Sequence, residues 1–108
     1  MLSIIKKALK NGGYTDISYK DGFMVSLYGL ETQVPIGEAY SKKTMQVLRR
    51  YRKLAKKYNG SLGLWIEKGV LFIDISINII NKDEAIKFGI ENKQLAIYDI
   101  VNETTINL

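Results

Sequence analysis

Leu2, Ile5, Ala8 and Leu9 recur at helical spacing, and Asn11-Gly12-Gly13 ends the run, which predicts a first helix over 2–11. Thr15 to Lys20 and Phe23 to Leu27 then read as two strands around Asp21-Gly22. A two-residue turn would set Tyr19 opposite Met24 and Asp16 opposite Leu27, mixing polar and apolar side chains on one face. A three-residue loop, Lys20-Asp21-Gly22 with Gly22 left-handed, instead pairs Tyr19 with Phe23, Ile17 with Val25 and Thr15 with Leu27. That register gives one apolar face and is the one expected.

Beyond Gly29 the pattern is weak through Pro35 and Gly37, and implies a loop or an irregular continuation of the second strand. Ser41 is a suitable N-cap for a helix over 42–58, whose apolar stripe is Val47, Leu48, Tyr51, Leu54, Ala55 and Tyr58, with Asn59-Gly60 as the stop. A second hairpin is centred on Lys68-Gly69. Pairing Glu67 with Val70 sets Ile66 opposite Leu71, Leu64 opposite Ile73 and Leu62 opposite Ile75 on one face. The other face then carries Trp65 opposite Phe72, Gly63 opposite Asp74 and Ser61 opposite Ser76.

Asn81 with Glu84 resembles a capping box and opens a helix over 82–91 that buries Ala85, Ile86 and Phe88 or Ile90, stopping at Asn92. Gln94 to Val101 and Thr105 to Leu108 are strands joined by a turn at 102–104. The expected fold is α+β. Three helix-hairpin (αββ) units form one domain over 1–108, with a mostly antiparallel sheet and the helices packed on one face.

Composition narrows the chemistry. The 108 residues include no cysteine and no histidine, which leaves no disulfide, no Cys/His metal site, no thiol nucleophile and no imidazole acid–base pair. No nucleophile motif or phosphate-binding glycine loop is present, so neither catalytic residues nor a cofactor are expected, and the chain does not read as an enzyme. Asp74 and Asp99 could form only a distant carboxylate pair. The first ten residues lack the apolar core of a signal peptide and no run approaches a membrane span, so a cytoplasmic protein is expected.

Charge is segregated. Of 16 bases and 11 acids, residues 42–57 hold eight bases and no acid. Lys42, Lys43, Gln46, Arg49, Arg50, Lys53, Lys56 and Lys57 fall on the face away from the apolar stripe, a row suited to spaced phosphates or to an acidic protein surface. An ordinary solvated helix is the alternative, although such faces usually mix both signs. The second candidate site is Trp65, Phe72, Asp74 and Ser76. If helices cover the Leu62/Leu64/Ile66 face, these lie on the open side of the sheet, as a protein interface, a homodimer contact or a base-stacking platform. The alternative is that loop 29–40 or the C-terminal strands fold over them.

The segment Gly63-Leu64-Trp65-Ile66-Glu67-Lys68-Gly69-Val70-Leu71-Phe72-Ile73-Asp74-Ile75-Ser76, together with Glu84 to Asp99, resembles small proteins encoded by phages and conjugative elements of low-GC Gram-positive bacteria. Residues 1–60 take no part in the likeness. The resemblance implies a small non-catalytic protein that inhibits a host defence nucleoprotein such as a CRISPR–Cas effector. The alternative is a nucleic-acid-binding accessory or regulatory protein that uses helix 42–58. The expected partner is a host protein or nucleoprotein, or nucleic acid itself.

Overall fold

In the computed structural model, which describes residues 1–108, Leu62 and Leu64 of strand β3 (Ser61–Glu67) and Leu71, Ile73 and Ile75 of β4 (Val70–Ile79) form the floor of the main core. Both strands alternate, so one face is apolar and the other carries Gly63, Trp65, Phe72, Asp74 and Ser76. The ladder runs Glu67↔Val70 through Ser61↔Ser76 in the register expected. Lys68 (φ 50) and Gly69 (φ 77) make the tight left-handed turn that this hairpin requires.

The other elements are α1 (Leu2–Asn11), β1 (Gly13–Thr15), β2 (Phe23–Pro35), a short 3-10 turn (Ile36–Glu38), α2 (Lys42–Lys57), α3 (Lys82–Glu91), β5 (Ala96–Asp99) and β6 (Thr104–Asn107). The six strands form one sheet in the order β1-β3-β4-β2-β5-β6, and every pairing is antiparallel. The α+β class and the αββ-αββ-αββ order are as expected. No helix is long and apolar enough to cross a membrane.

The first hairpin is a correction. β1 and β2 do not pair; they flank the β3–β4 hairpin on opposite sides. Residues 16–22, expected to include most of a strand, cross the open end of that hairpin instead. The Asp16 N–H donates to the Leu62 carbonyl at 2.9 Å and the Ile17 N–H to Ser61 Oγ at 3.1 Å. Asn78 Nδ2 reaches the Asp21 carbonyl at 2.9 Å. The reason is burial: a local hairpin would leave Phe23 and Val25 paired with Tyr19 and Ile17. Partnering β4 sets them against Ile79 and Ile77 instead, and Val25 becomes fully buried. Ile17 consequently remains exposed.

Segment 29–35 is a strand continuation rather than a loop. β2 pairs with β4 from Phe23↔Ile79 to Ser26↔Ser76 and again from Glu31↔Asp74 to Pro35↔Val70. Leu27, Tyr28, Gly29 and Leu30 lie between, opposite Ile75 alone, so the strand arches outward there. Gly29 (φ 77) supplies the left-handed residue, and the Tyr28 N–H is held by Asn92 Oδ1 at 3.1 Å.

All three helices lie on one face. α1 contributes Ile4, Ile5 and Ala8 and α2 contributes Leu48, Tyr51 and Ala55 to a core of 13 buried residues. α3 covers a smaller core of Val25, Ala85 and Ile97, with Ile86 and Phe88 packed against it; Ile90 faces outward. Ser41 caps α2 by accepting the Thr44 N–H at 3.2 Å, and Asn59 (φ 55) follows its C-cap. Asn81 caps α3 through the Glu84 N–H at 3.0 Å. Two details of α2 differ from expectation: Thr44 belongs to the buried stripe, with its hydroxyl donating to the Glu38 carbonyl at 2.8 Å, and Tyr58 is exposed.

Candidate functional site

The buried stripe Thr44, Leu48, Tyr51 and Ala55 fixes how α2 is rotated on the sheet. That rotation turns Lys42, Lys43, Gln46, Arg49, Arg50, Lys53, Lys56 and Lys57 into solvent, all eight of them exposed. The remaining base, Arg52, points sideways and is spent on Asp16: its Nε donates to Oδ2 at 2.7 Å and its Nη2 to Oδ1. Being the sole ion pair of the molecule, it leaves seven α2 cations without an acidic partner. Asp16 raises the Arg52 pKa, chiefly through this hydrogen bond.

These charges act against the helix that carries them. Lys42 and Lys43 occupy its first turn, where the macrodipole favours acids, at a cost of about 0.3–1 kcal/mol each at low salt. Arg49–Lys53 and Lys53–Lys57 are like-charge neighbours one turn apart, each costing a few tenths of a kcal/mol. Burial of Leu48 and Tyr51, on the order of 2 kcal/mol apiece, offsets this. A face that keeps its charges at the expense of local stability is the kind expected where a ligand meets it.

Sequence reasoning missed the extension of this face. α1 lies beside α2 on the same side of the sheet, and it exposes Lys6, Lys7 and Lys10 with no acid in its length. Met1 Sδ of the α1 cap lies 3.7 Å from Arg52 Nη1, so the start of α1 abuts α2. Three lysines without an acid in residues 2–11 were the available signal. Only the tertiary arrangement puts them on the same side of the sheet as the α2 row.

The second candidate group lies across the sheet. Trp65 and Phe72 stack with ring centroids 4.0 Å apart and planes 9° from parallel, on a face that no helix covers. Trp65 is 38% exposed, so the face is covered only in part: residues 27–31 of β2 and residues 93–98 stand beside it as walls without closing over the indole. Asp74 and Ser76 are on the same face. The Ser26 hydroxyl donates to Asp74 Oδ2 at 3.0 Å and sits 3.3 Å from Ser76 Oγ. Burial pushes the Asp74 carboxyl up to about 6; the Ser26 hydrogen bond opposes the shift and the Glu31 charge adds to it.

Asp74 and Asp99 do not come together. Asp99 pairs with Phe23 on the helix-covered face, and its carboxylate accepts Asn102 Nδ2 at 2.8 Å and the Asn102 N–H at 3.2 Å. These bonds, the side-chain one first, hold its carboxyl below the usual range. It fastens the β5–β6 turn. No three carboxylates converge in a way that could hold a metal ion.

No protein-family model, curated protein or solved structure matches the chain.

Proposed function

We propose that this is a small non-catalytic binding protein that docks its α1–α2 face on the phosphates of a nucleic acid, free or within a nucleoprotein. The observation that carries this reading is a set of ten exposed cations, none in an ion pair, on the two helices that cover one side of the sheet: Lys6, Lys7, Lys10, Lys42, Lys43, Arg49, Arg50, Lys53, Lys56 and Lys57. Such a row gains affinity by releasing condensed counterions, a mechanism that needs no base contacts. α2 alone presents its charges along about 24 Å of helix, long enough to track several phosphates. On the resemblance read from the sequence of residues 63–76 and 84–99 alone, we extend the proposal to a host nucleoprotein, such as a CRISPR–Cas effector, as the target that is inhibited. The open face around Trp65 and Phe72 would add an apolar contact to that target's protein part.

Anisotropy titrations against single- and double-stranded DNA and RNA over a salt series test the reading. Affinity should fall linearly on a log–log plot, and charge reversal at Arg49, Arg50, Lys53 and Lys57 should abolish it. Undiminished binding by that quadruple variant would sink the proposal. Capture of a lysate partner that survives nuclease and still needs the four bases would redirect the face to an acidic protein surface.

A further inference from the structure

The open side of the sheet is the less expected half of the molecule. The sheet curls enough that Gly13 of β1 and Tyr98 of β5 line one cavity, of about 680 Å³, and a second cavity of about 640 Å³ adjoins it under the β2 arch. Trp65 and Asp74 line both.

Asp74 is poised for a ligand. Its Oδ2 accepts the Ser26 hydroxyl, whereas Oδ1 accepts nothing from the protein. The residue across the ladder is Gly63, where a methyl group would come within 2.7 Å of Oδ1. The missing side chain therefore leaves that oxygen open to the cavity. No base answers the charge. From β2 the neighbour across the ladder is Glu31, a second acid; from β5 the cavity receives Tyr98; and Lys93, at the rim of the second cavity, lies 4.7 Å over the Tyr28 ring. β1 brings only Gly13, Tyr14 and Thr15. The adjacent wall is the Trp65 indole, held by its stack on Phe72.

We propose that this cleft receives the guanidinium of an arginine side chain presented by a partner protein, paired with Asp74 and lying against Trp65. A carboxylate with a free oxygen matches the planar donor fork of arginine, and an indole attracts the same cation through its ring. Two acids, neither in an ion pair, against one lysine that lies over the Tyr28 ring give the charge complementarity. A protein source follows from the rim, where Leu95 is 88% exposed, Tyr28 62% and Tyr98 42%. A free guanidine could not cover that apolar surface, and a protein can. The raised Asp74 carboxyl fits the same picture, because an arriving cation stabilises its ionised form.

Trp65 is the sole tryptophan, so its emission reports on the site directly. The full chain is titrated, at up to millimolar ligand, with acetyl-Leu-Arg-Leu-amide, its citrulline and lysine counterparts, and free arginine amide. The arginine peptide should give a saturable change. The lysine peptide should bind about tenfold more weakly, and the citrulline peptide, equal in shape but uncharged, should give none. Affinity should rise about tenfold from pH 5 to pH 7 as a carboxyl near 6 ionises. Asp74→Asn, checked for folding by circular dichroism, should abolish the response. The quadruple α2 reversal should leave it intact, which separates this site from the polyanion face. No saturable change, equal citrulline binding, or full binding by Asp74→Asn overturns the proposal. Free arginine amide binding as tightly as the peptide overturns the protein source, and equal lysine binding overturns the guanidinium.

Discussion

Arg52 and Asp16, 36 residues apart in sequence, join the exposed shoulder of α2 to the segment that crosses the end of the β3–β4 hairpin. The pair is bidentate, but its Arg52 side chain is about one-third exposed, so water screens much of the attraction. Asp16→Asn should cost about 0.5–1 kcal/mol by urea unfolding, less at high salt. It also releases one more cation beside the α2 row. Affinity for nucleic acid should therefore rise while stability falls, an opposition that anisotropy and denaturation on one preparation would reveal.

The Asp74 carboxyl makes a second opposition. Its folded value of about 6 lies above its ordinary 3.8. Between the two the folded chain keeps a proton that the unfolded chain has released, so stability declines as pH rises from about 4 to about 6 and stays low above that. The full swing is on the order of 3 kcal/mol. Asp74→Asn should flatten this segment of the profile and raise stability at pH 7 by about 1–3 kcal/mol, measured by chemical denaturation at pH 4.5 and 7. Asp99 behaves oppositely: its depressed carboxyl stabilises above its unfolded value, and that contribution is lost as pH falls through the folded one.

Lys43 tests whether the basic face is kept against stability. Lys43→Glu places an acid at the positive end of the α2 dipole and should stabilise by about 0.5–1 kcal/mol at low salt, with the gain fading in high salt. The same change should weaken nucleic-acid binding. A variant that is both less stable and less able to bind would argue against that account.

Gly89 reverses the usual rule for helices. Alanine in mid-helix ordinarily gains close to 1 kcal/mol over glycine. Here a Cβ would stand 2.9 Å from Ile97 Cγ2, in a buried and β-branched neighbour, and 2.6 Å from Leu108 Cδ1. Leu108 can swing away, but Ile97 cannot. Gly89→Ala should therefore destabilise, by about 1–2 kcal/mol in thermal or urea unfolding.

What could be read from the chain depended on whether local information sufficed. The β3–β4 register was legible because both faces agree on one pairing: Leu62, Leu64 and Ile66 against apolar partners, Trp65 against Phe72. The caps at Ser41 and Asn81 and the exposed α2 row were legible for similar reasons, since each is decided within four or five residues. The pairing of β1 and β2 was not. Asp21-Gly22 signals a tight turn, and nothing nearby reveals that Val25 gains more from Ile77 than from Ile17. The Trp65 and Asp74 group was found by alternation alone. Its neighbours Ser26, Gly13 and Tyr98 arrive from three other strands, so the cleft itself was invisible. The α1 lysines were visible as residues but not as part of a shared face.

The two cores are unequal, and β2 is the strand that gives a buried residue to each, Val34 to one and Val25 to the other. The larger one holds 13 buried residues under α1 and α2, and the smaller holds Val25, Ala85 and Ile97 under α3. β5 is tied to β2 through only Phe23↔Asp99 and Met24↔Tyr98. The amide protons of β5 and β6 should thus trade with solvent deuterium through a partial opening that peels the C-terminal third away, while those of β3 and β4 wait for the whole molecule to unfold. Tyr98 and Leu95 ride on the part that opens. One wall of the aromatic cleft is therefore a door with its own equilibrium, and an occupant of the cleft would be felt first as slower exchange in β5.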